Sequence, residues 1–380
     1  MRKTMQPAVY LDYNASAPLK PAVIDSLTAA LAETGNPSSV HRAGRLARRA
    51  LEQARARVAA LIGAEARQIV FTSGGTEANN LALAGSGRRI LVSAVEHESA
   101  RLAVAGAETV PVDGGGRVDL DALEAALARD RRPAAVAVML ANNETGIIQP
   151  VADAARIAHA HGAWLHCDAV QAAGKIAVDL ATLGCDTLAL SAHKLGGPQG
   201  VGALAVGDGV TLVPCLLGGG QERGRRAGTE AVAAIVAFGV AAELALGDLP
   251  RMAALAAMRD AMERRLGAAV PELGVIGAHS PRLPNTSCLV MPGIAAETQV
   301  MAFDLAGIAL SAGSACSSGK VRPSHVLAAM GLGPEAAASA IRVSLGWRST
   351  PEDIDRFVEA WIGLWSRIRA GRAGLAAPAA

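Results

Sequence analysis

The chain has 380 residues, 51% of them apolar and 18% charged, which is too long for a disulfide-stapled miniature fold and too apolar for a disordered or fibrous one. Thirty-six basic side chains against 34 acidic ones leave a net charge of +2, too near balance to make a polyanion-binding face, so nucleic acid is not an expected partner. The length suits about two to three domains, or one large domain with an appendage.

Residues 1–11 carry Arg2 and Lys3 but no apolar run of the kind a secretory signal needs. Residues 45–62 place Leu46, Ala50, Leu51, Ala54, Val58 and Leu61 at a helical period and stop at Gly63, a suitable C-cap. Short aliphatic runs follow at 69–72, 90–93, 136–140, 164–167, 187–191 and 203–206, with helical patterns at 120–129 and 151–161 between them. That alternation predicts a mostly parallel sheet covered by helices. The uncharged stretch 231–242 is shorter than the ~20 residues of a membrane span and reads as a buried helix. After Pro250 the pattern changes to a helix at 251–266, strands at 287–290 and 308–311, and a C-terminal helix opened by Thr350, Pro351 and Asp353. That helix carries Ile354, Phe357, Val358, Trp361, Leu364, Trp365 and Ile368 on one face, and the Ala/Gly-rich tail 370–380 is expected to fray. The fold class is α/β: a large sheet domain over 16–250, and a smaller α+β domain over 1–15 plus 251–380.

Cysteines at 167, 185, 215, 288 and 316 form no C-x-x-C pair, which excludes a zinc knuckle and a disulfide framework and predicts reduced thiols in the cytoplasm. No metal site is expected.

In an open α/β sheet a ligand sits beyond the carboxyl ends of the strands, and the residues there are polar: Thr72 to Asn80, Glu96-His97-Glu98, Asn142-Asn143-Glu144, His166-Cys167-Asp168 with Gln171, and Ser191-Ala192-His193-Lys194. Ser73-Gly74-Gly75-Thr76, leading into a helix, offers N–H groups to an anion, although such a turn is by itself a weak signal and matches neither a dinucleotide fingerprint nor a Walker loop. The chain uses lysine only at positions 3, 20, 175, 194 and 320. Lys194 at a strand end suggests imine chemistry, which arginine cannot perform; Lys3, Lys20, Lys175 and Lys320 read as surface lysines in loops. Asp168, at the end of an apolar strand, calls for a positive partner such as a protonated pyridine nitrogen. An aspartate, a lysine and an anion turn are the parts that a pyridoxal phosphate site requires.

Together with Asp12-Tyr13-Asn14, Asn36-Pro37-Ser38-Ser39-Val40-His41, Asn142-Asn143-Glu144-Thr145-Gly146, Asp168-Ala169-Val170-Gln171, Arg226-Ala227-Gly228-Thr229 and Ser314-Ala315-Cys316, these motifs resemble the cysteine desulfurases of the NifS/IscS type, class V aminotransferase-like enzymes of fold-type I. The resemblance runs from about residue 10 to 348. It implies pyridoxal 5'-phosphate as cofactor, L-cysteine as substrate, a homodimer, and delivery of sulfur to a scaffold or carrier protein of iron–sulfur assembly or thiolation. It also implies that Lys194 is the Schiff-base lysine, that Asp168 pairs with the pyridine nitrogen, that His97 stacks on the ring and moves protons, and that Gln171 bonds the phenolic oxygen. The phosphate would be held by Gly75, Thr76, Ser191 and His193, with Thr229 from the other subunit. Asn143 and Arg342 would bind the substrate carboxylate, Asn14 and Asn36 would line the entrance, and Cys316 would take the sulfur as a persulfide.

Cys316 lies among small residues without helical period, so an exposed, mobile loop over about 311–323 is expected, with Lys320 and Arg322 favouring the thiolate. Cys167, Cys185, Cys215 and Cys288 read as small buried hydrophobes. The chain ends without the longer polar tail that scaffold-docking members often carry. Two other readings stay open: a class V aminotransferase or selenocysteine-lyase-like enzyme in which Cys316 is incidental, and a non-catalytic adaptor for a sulfur carrier.

Overall fold

The computed structural model describes residues 8–312 and 324–376. Its centre is a seven-stranded sheet in the spatial order Ile69–Thr72, Gly202–Val206, Thr187–Ser191, Trp164–Asp168, Ala134–Ala137, Arg89–Ser93 and Glu108–Val110. Neighbouring strands are parallel except around Gly202–Val206, which runs antiparallel to both its partners. Most of these strands are buried at every position, as expected of parallel strands covered on both faces, and hence they read as continuous apolar runs. The edge strand Glu108–Val110 has no such run and is not legible in the sequence.

The helices Arg42–Leu61 and Pro21–Ala32 pack on Val232–Gly247. This last helix is the uncharged segment, and it is apolar because Ile235, Ala237, Phe238, Ala241 and Ala242 are buried in the sheet's core. Among the described residues no single helix is long and apolar enough to cross a membrane.

A second core forms around four antiparallel strands in the order Ser311–Ala312, Ala340–Ser344, Thr286–Val290 and Gly274–Ile276. The run expected as one strand at 308–311 is two: Ile308–Ala309 pairs with Val9–Tyr10, and Ser311–Ala312 pairs with Ala340–Ser344. The break at Leu310 lets one short segment serve two sheets, which periodicity alone does not reveal. Leu249–Ala269 and Pro351–Ala376 cover this part, with Phe357 and Trp361 fully buried. The C-terminal helix runs through Ala376, so the fraying expected from 370 onward is not found over 370–376.

Candidate functional site

A cavity of about 330 Å³ opens at the carboxyl edge of the large sheet, a size within the ~300–1,000 Å³ of small-molecule sites. It is lined by Gly75, Thr76, His97, Asp168, Gln171, Ser191, His193 and Lys194, by Asn14 and Asn143, and by Arg342 from the second core. Sheet register explains much of this. Cys167 and Asp168 sit opposite Leu188 and Ala189 on parallel neighbours, so Asp168 and the Ser191–Lys194 turn leave the sheet at one edge.

The glycine turn is built for close approach. A Cβ on Gly75 would lie 2.8 Å from Val170 Cγ2, and one on Gly202 would lie 2.6 Å from the backbone carbon of Gly74. The helix Gly75–Ala84 has no side-chain cap at Gly74, and its first two residues, Gly75 and Thr76, line the cavity, an arrangement suited to an anion.

Asp168 Oδ2 accepts from Asn79 Nδ2 at 2.7 Å and Oδ1 from the Val170 N–H at 3.0 Å. Asn79 heads a directional chain. Its Nδ2 also donates to Ser99 Oγ at 2.8 Å, and its Oδ1 lies 3.0 Å from His166 Nε2. His166, pushed down to about 4 by burial against the pull of Asp168, is neutral. Its proton is on Nε2, toward Asn79, and its Nδ1 faces Thr187 Oγ1 at 2.9 Å. His97 Nδ1 accepts from the Ser99 N–H at 3.1 Å and lies 2.8 Å from Ser99 Oγ. Because Ser99 Oγ accepts from Asn79, it donates to His97 Nδ1, which acts as an acceptor and leaves Nε2 as the ring nitrogen that carries a proton.

Lys194 Nζ donates to the carbonyls of Asn14 and Ala15, each at 2.8 Å. His193 is driven down to about 4, first by burial and then by the Lys194 charge. Arg342, 5% exposed, donates from Nη2 to Asp12 Oδ1 at 2.7 Å and from Nη1 to the Asn143 carbonyl at 3.0 Å, while its buried Nε has no hydrogen-bond partner. A buried guanidinium with an unmet N–H at a cavity wall is suited to a carboxylate.

Some expectations need correction. Asn36 is exposed, accepts the Ser38 N–H at 2.8 Å, and does not line the cavity. Asn14 borders the cavity but is 1% exposed. Its amide is committed internally, Nδ2 to Thr286 Oγ1 at 2.9 Å and Oδ1 to Lys175 Nζ at 2.7 Å, so it is part of the cavity floor and not an entrance. Lys175 is not a surface lysine but 4% exposed, and Lys20 bridges Asp248 at 2.7 Å. Cys215 is exposed, unlike the buried Cys167, Cys185 and Cys288. Thr229 is exposed and stands outside this chain's cavity. Cys316, with Lys3, Lys320 and Arg322, lies outside the described residues.

Sequence reasoning passed over Asn79, Ser99, His166 and Lys175. Asn79 stood within a motif it quoted, and the spacing Gln171-x-x-x-Lys175 was the signal available for the last.

The residues fit pyridoxal 5'-phosphate: an amine, a carboxylate held ready by two N–H donors, and an uncapped helix start bound one cavity of suitable size. Residues 9–357 match the family model Aminotransferase class-V. The chain is 46% identical to a cysteine desulfurase of Cereibacter sphaeroides over 95% of its length and 97% of that protein. It is 41% identical to the cysteine desulfurase IscS of Dictyoglomus turgidum, covering 92% and 93% of the two. Among solved structures, a NifS-like protein from Rickettsia africae superimposes with a TM-score of 0.88 at 35% identity, over 94% of this chain and 99% of that one.

Proposed function

The chain belongs to the cysteine desulfurases of the class V aminotransferase family, pyridoxal-phosphate enzymes that convert L-cysteine to L-alanine, and we propose that the cavity described above is where it does so. The observation that carries this reading is the meeting of Lys194, Asp168, the Gly75 helix start and Arg342 around one cavity. Pyridoxal 5'-phosphate, bound there, supplies an electron sink for charge developing at the amino acid's α-carbon.

In this assignment Lys194 Nζ would hold the cofactor and would serve as the base for the α-proton, and two backbone carbonyls orient it for that work. Asp168 would pair with the pyridine nitrogen and Gln171 would donate to the phenolic oxygen. Gly75, Thr76, Ser191 and His193 bind phosphate, joined by Thr229 of a second subunit in a homodimer. His97 would stack on the ring. Arg342 and Asn143 take the substrate carboxylate. Cys316, as thiolate, attacks the sulfur of the substrate; the C–S bond breaks, an S–S bond forms, and alanine leaves after its β-carbon gains a proton.

The persulfide is then passed to a scaffold or carrier protein in the cytoplasm. The two separate cores support a division into a large domain, 16–250, and a small one, 1–15 plus 251–380, which contributes Arg342 and Cys316. The test is to incubate the purified protein with cysteine, locate added sulfur by peptide mass, and count alanine. One sulfur on the Cys316 peptide and loss of sulfur transfer in Cys316→Ser are expected. Undiminished release from that variant would sink the assignment.

A further inference from the structure

Lys175 is a buried amine to which the reaction above assigns no part. It follows the strand Trp164–Asp168 by one turn, four residues after Gln171, and is 4% exposed. A lysine is rarely buried without a carboxylate, yet both described hydrogen bonds of Lys175 Nζ go to amide oxygens: Gln171 Oε1 at 2.6 Å and Asn14 Oδ1 at 2.7 Å. The charges acting on it, Lys194 and Arg342, are positive, and with burial as the largest cause they hold its pKa well below the usual lysine range. Charged or neutral, Nζ has the two N–H donors that these bonds need.

The network leaves each amide one orientation. Asn14 Nδ2 meets the Asn143 carbonyl at 3.3 Å, which accepts only a donor, so Asn14 Oδ1 must face Lys175. Gln171 Nε2 donates to the Asn14 carbonyl at 2.9 Å, so Gln171 Oε1 must face Lys175 as well. The same Asn14 carbonyl carries the amine of Lys194. One amide N–H of Gln171 is thereby used, which leaves the other for the cavity that Gln171 lines.

We propose that Lys175 is a positioning residue of the active site: by occupying Gln171 Oε1 and Asn14 Oδ1 it acts with the Asn14 carbonyl to make Gln171 present an N–H, and not its carbonyl, to the cavity. The inference rests on the cofactor assignment proposed above. Without Lys175 the Gln171 amide is held by the Asn14 carbonyl alone, and an oxygen turned toward the cofactor's phenolic oxygen would raise the basicity that an N–H lowers.

The experiment uses holoenzyme loaded with pyridoxal 5'-phosphate and follows the pH titration of its visible absorption band. Lys175→Met, which keeps the buried stem, is expected to move the midpoint upward by about one pH unit, the scale of one hydrogen bond to a charged acceptor. Gln171→Ala should move it comparably, and the double variant no further, because the lysine acts through the glutamine. A midpoint in Lys175→Met equal to the parent's, or shifts that add in the double variant, would overturn the proposal. If the methionine variant does not fold, Lys175→Leu, which likewise offers neither amide a donor, is held to the same outcomes. A parent holoprotein without a visible band would instead refute the cofactor assignment, and the inference with it.

Discussion

The two walls of the cavity are made differently. On the sheet side, Asp168, Ser191 and Lys194 leave adjacent parallel strands, and the supporting bonds run between those strands and the helix packed on them, as in the path from Thr187 through His166 and Asn79 to Asp168. On the opposite side, Arg342 is held by Asp12, 330 positions away, and Asn14 by Thr286, 272 positions away. The first wall follows from a repeating topology that delivers polar residues to one edge. The second exists only because the N-terminal strand returns to pair with Ile308–Ala309 beside the small sheet. In the function proposed above, the sheet wall concentrates chemistry and the far wall concentrates recognition.

The largest effect should come from the sheet wall. Lys194→Ala is expected to lower alanine formation by at least ~10³-fold, the range of a lost acid–base group, and to abolish the visible absorption of the holoenzyme; a variant that keeps both would dissolve the distinction. On the far wall, Arg342→Lys loses the planar fork that a carboxylate fits. The KM for cysteine should rise about 10–100-fold, the worth of one or two charged hydrogen bonds, while kcat holds. A fall in kcat with KM constant would instead put Arg342 among the groups that act in the transition state. Asn79→Leu removes a donor from Asp168 and the link to Ser99. We expect kcat about tenfold lower and faster loss of cofactor on dialysis; unchanged values would mean that Asp168 needs no orienting partner.

The smallest effect on turnover should come from Glu144, behind the far wall, whose carboxylate accepts from Ser324 Oγ at 2.6 Å. Burial lifts it to about 7, against the pull of Ser324 and Arg342. The folded chain thus keeps a proton that the unfolded chain releases near pH 4.5, so this group's stabilisation is complete below that pH and is lost as pH rises through about 7. Across that window the loss is on the order of 3 kcal/mol. Glu144→Gln should match the parent's Tm near pH 4.5 and exceed it at pH 8; parallel Tm profiles would show that Glu144 is ionised in the fold.

How much of this was legible varies by element. Leu120–Arg129 and Thr187–Ser191 were readable to the residue, because an amphipathic period and a continuous apolar run are local signals. Lys194 stood out through its place at a strand end in a chain that otherwise favours arginine. Asn36 was misjudged because its motif closes a local turn away from the cavity, and Lys175 because the distant residues that bury it, such as Asn14, are not its sequence neighbours.

By itself the amino-acid sequence determined the alternation of strands and helices, the polar strand ends and the family, since each depends on residues near one another or on motifs in order. Tertiary structure alone decided that Asn79 orients both Asp168 and His97, that Asn14 lies in the floor of the cavity, and that Lys175 is buried beside Gln171. Those facts depend on which distant backbone closes over a polar side chain and removes it from water, and a linear pattern does not encode that enclosure.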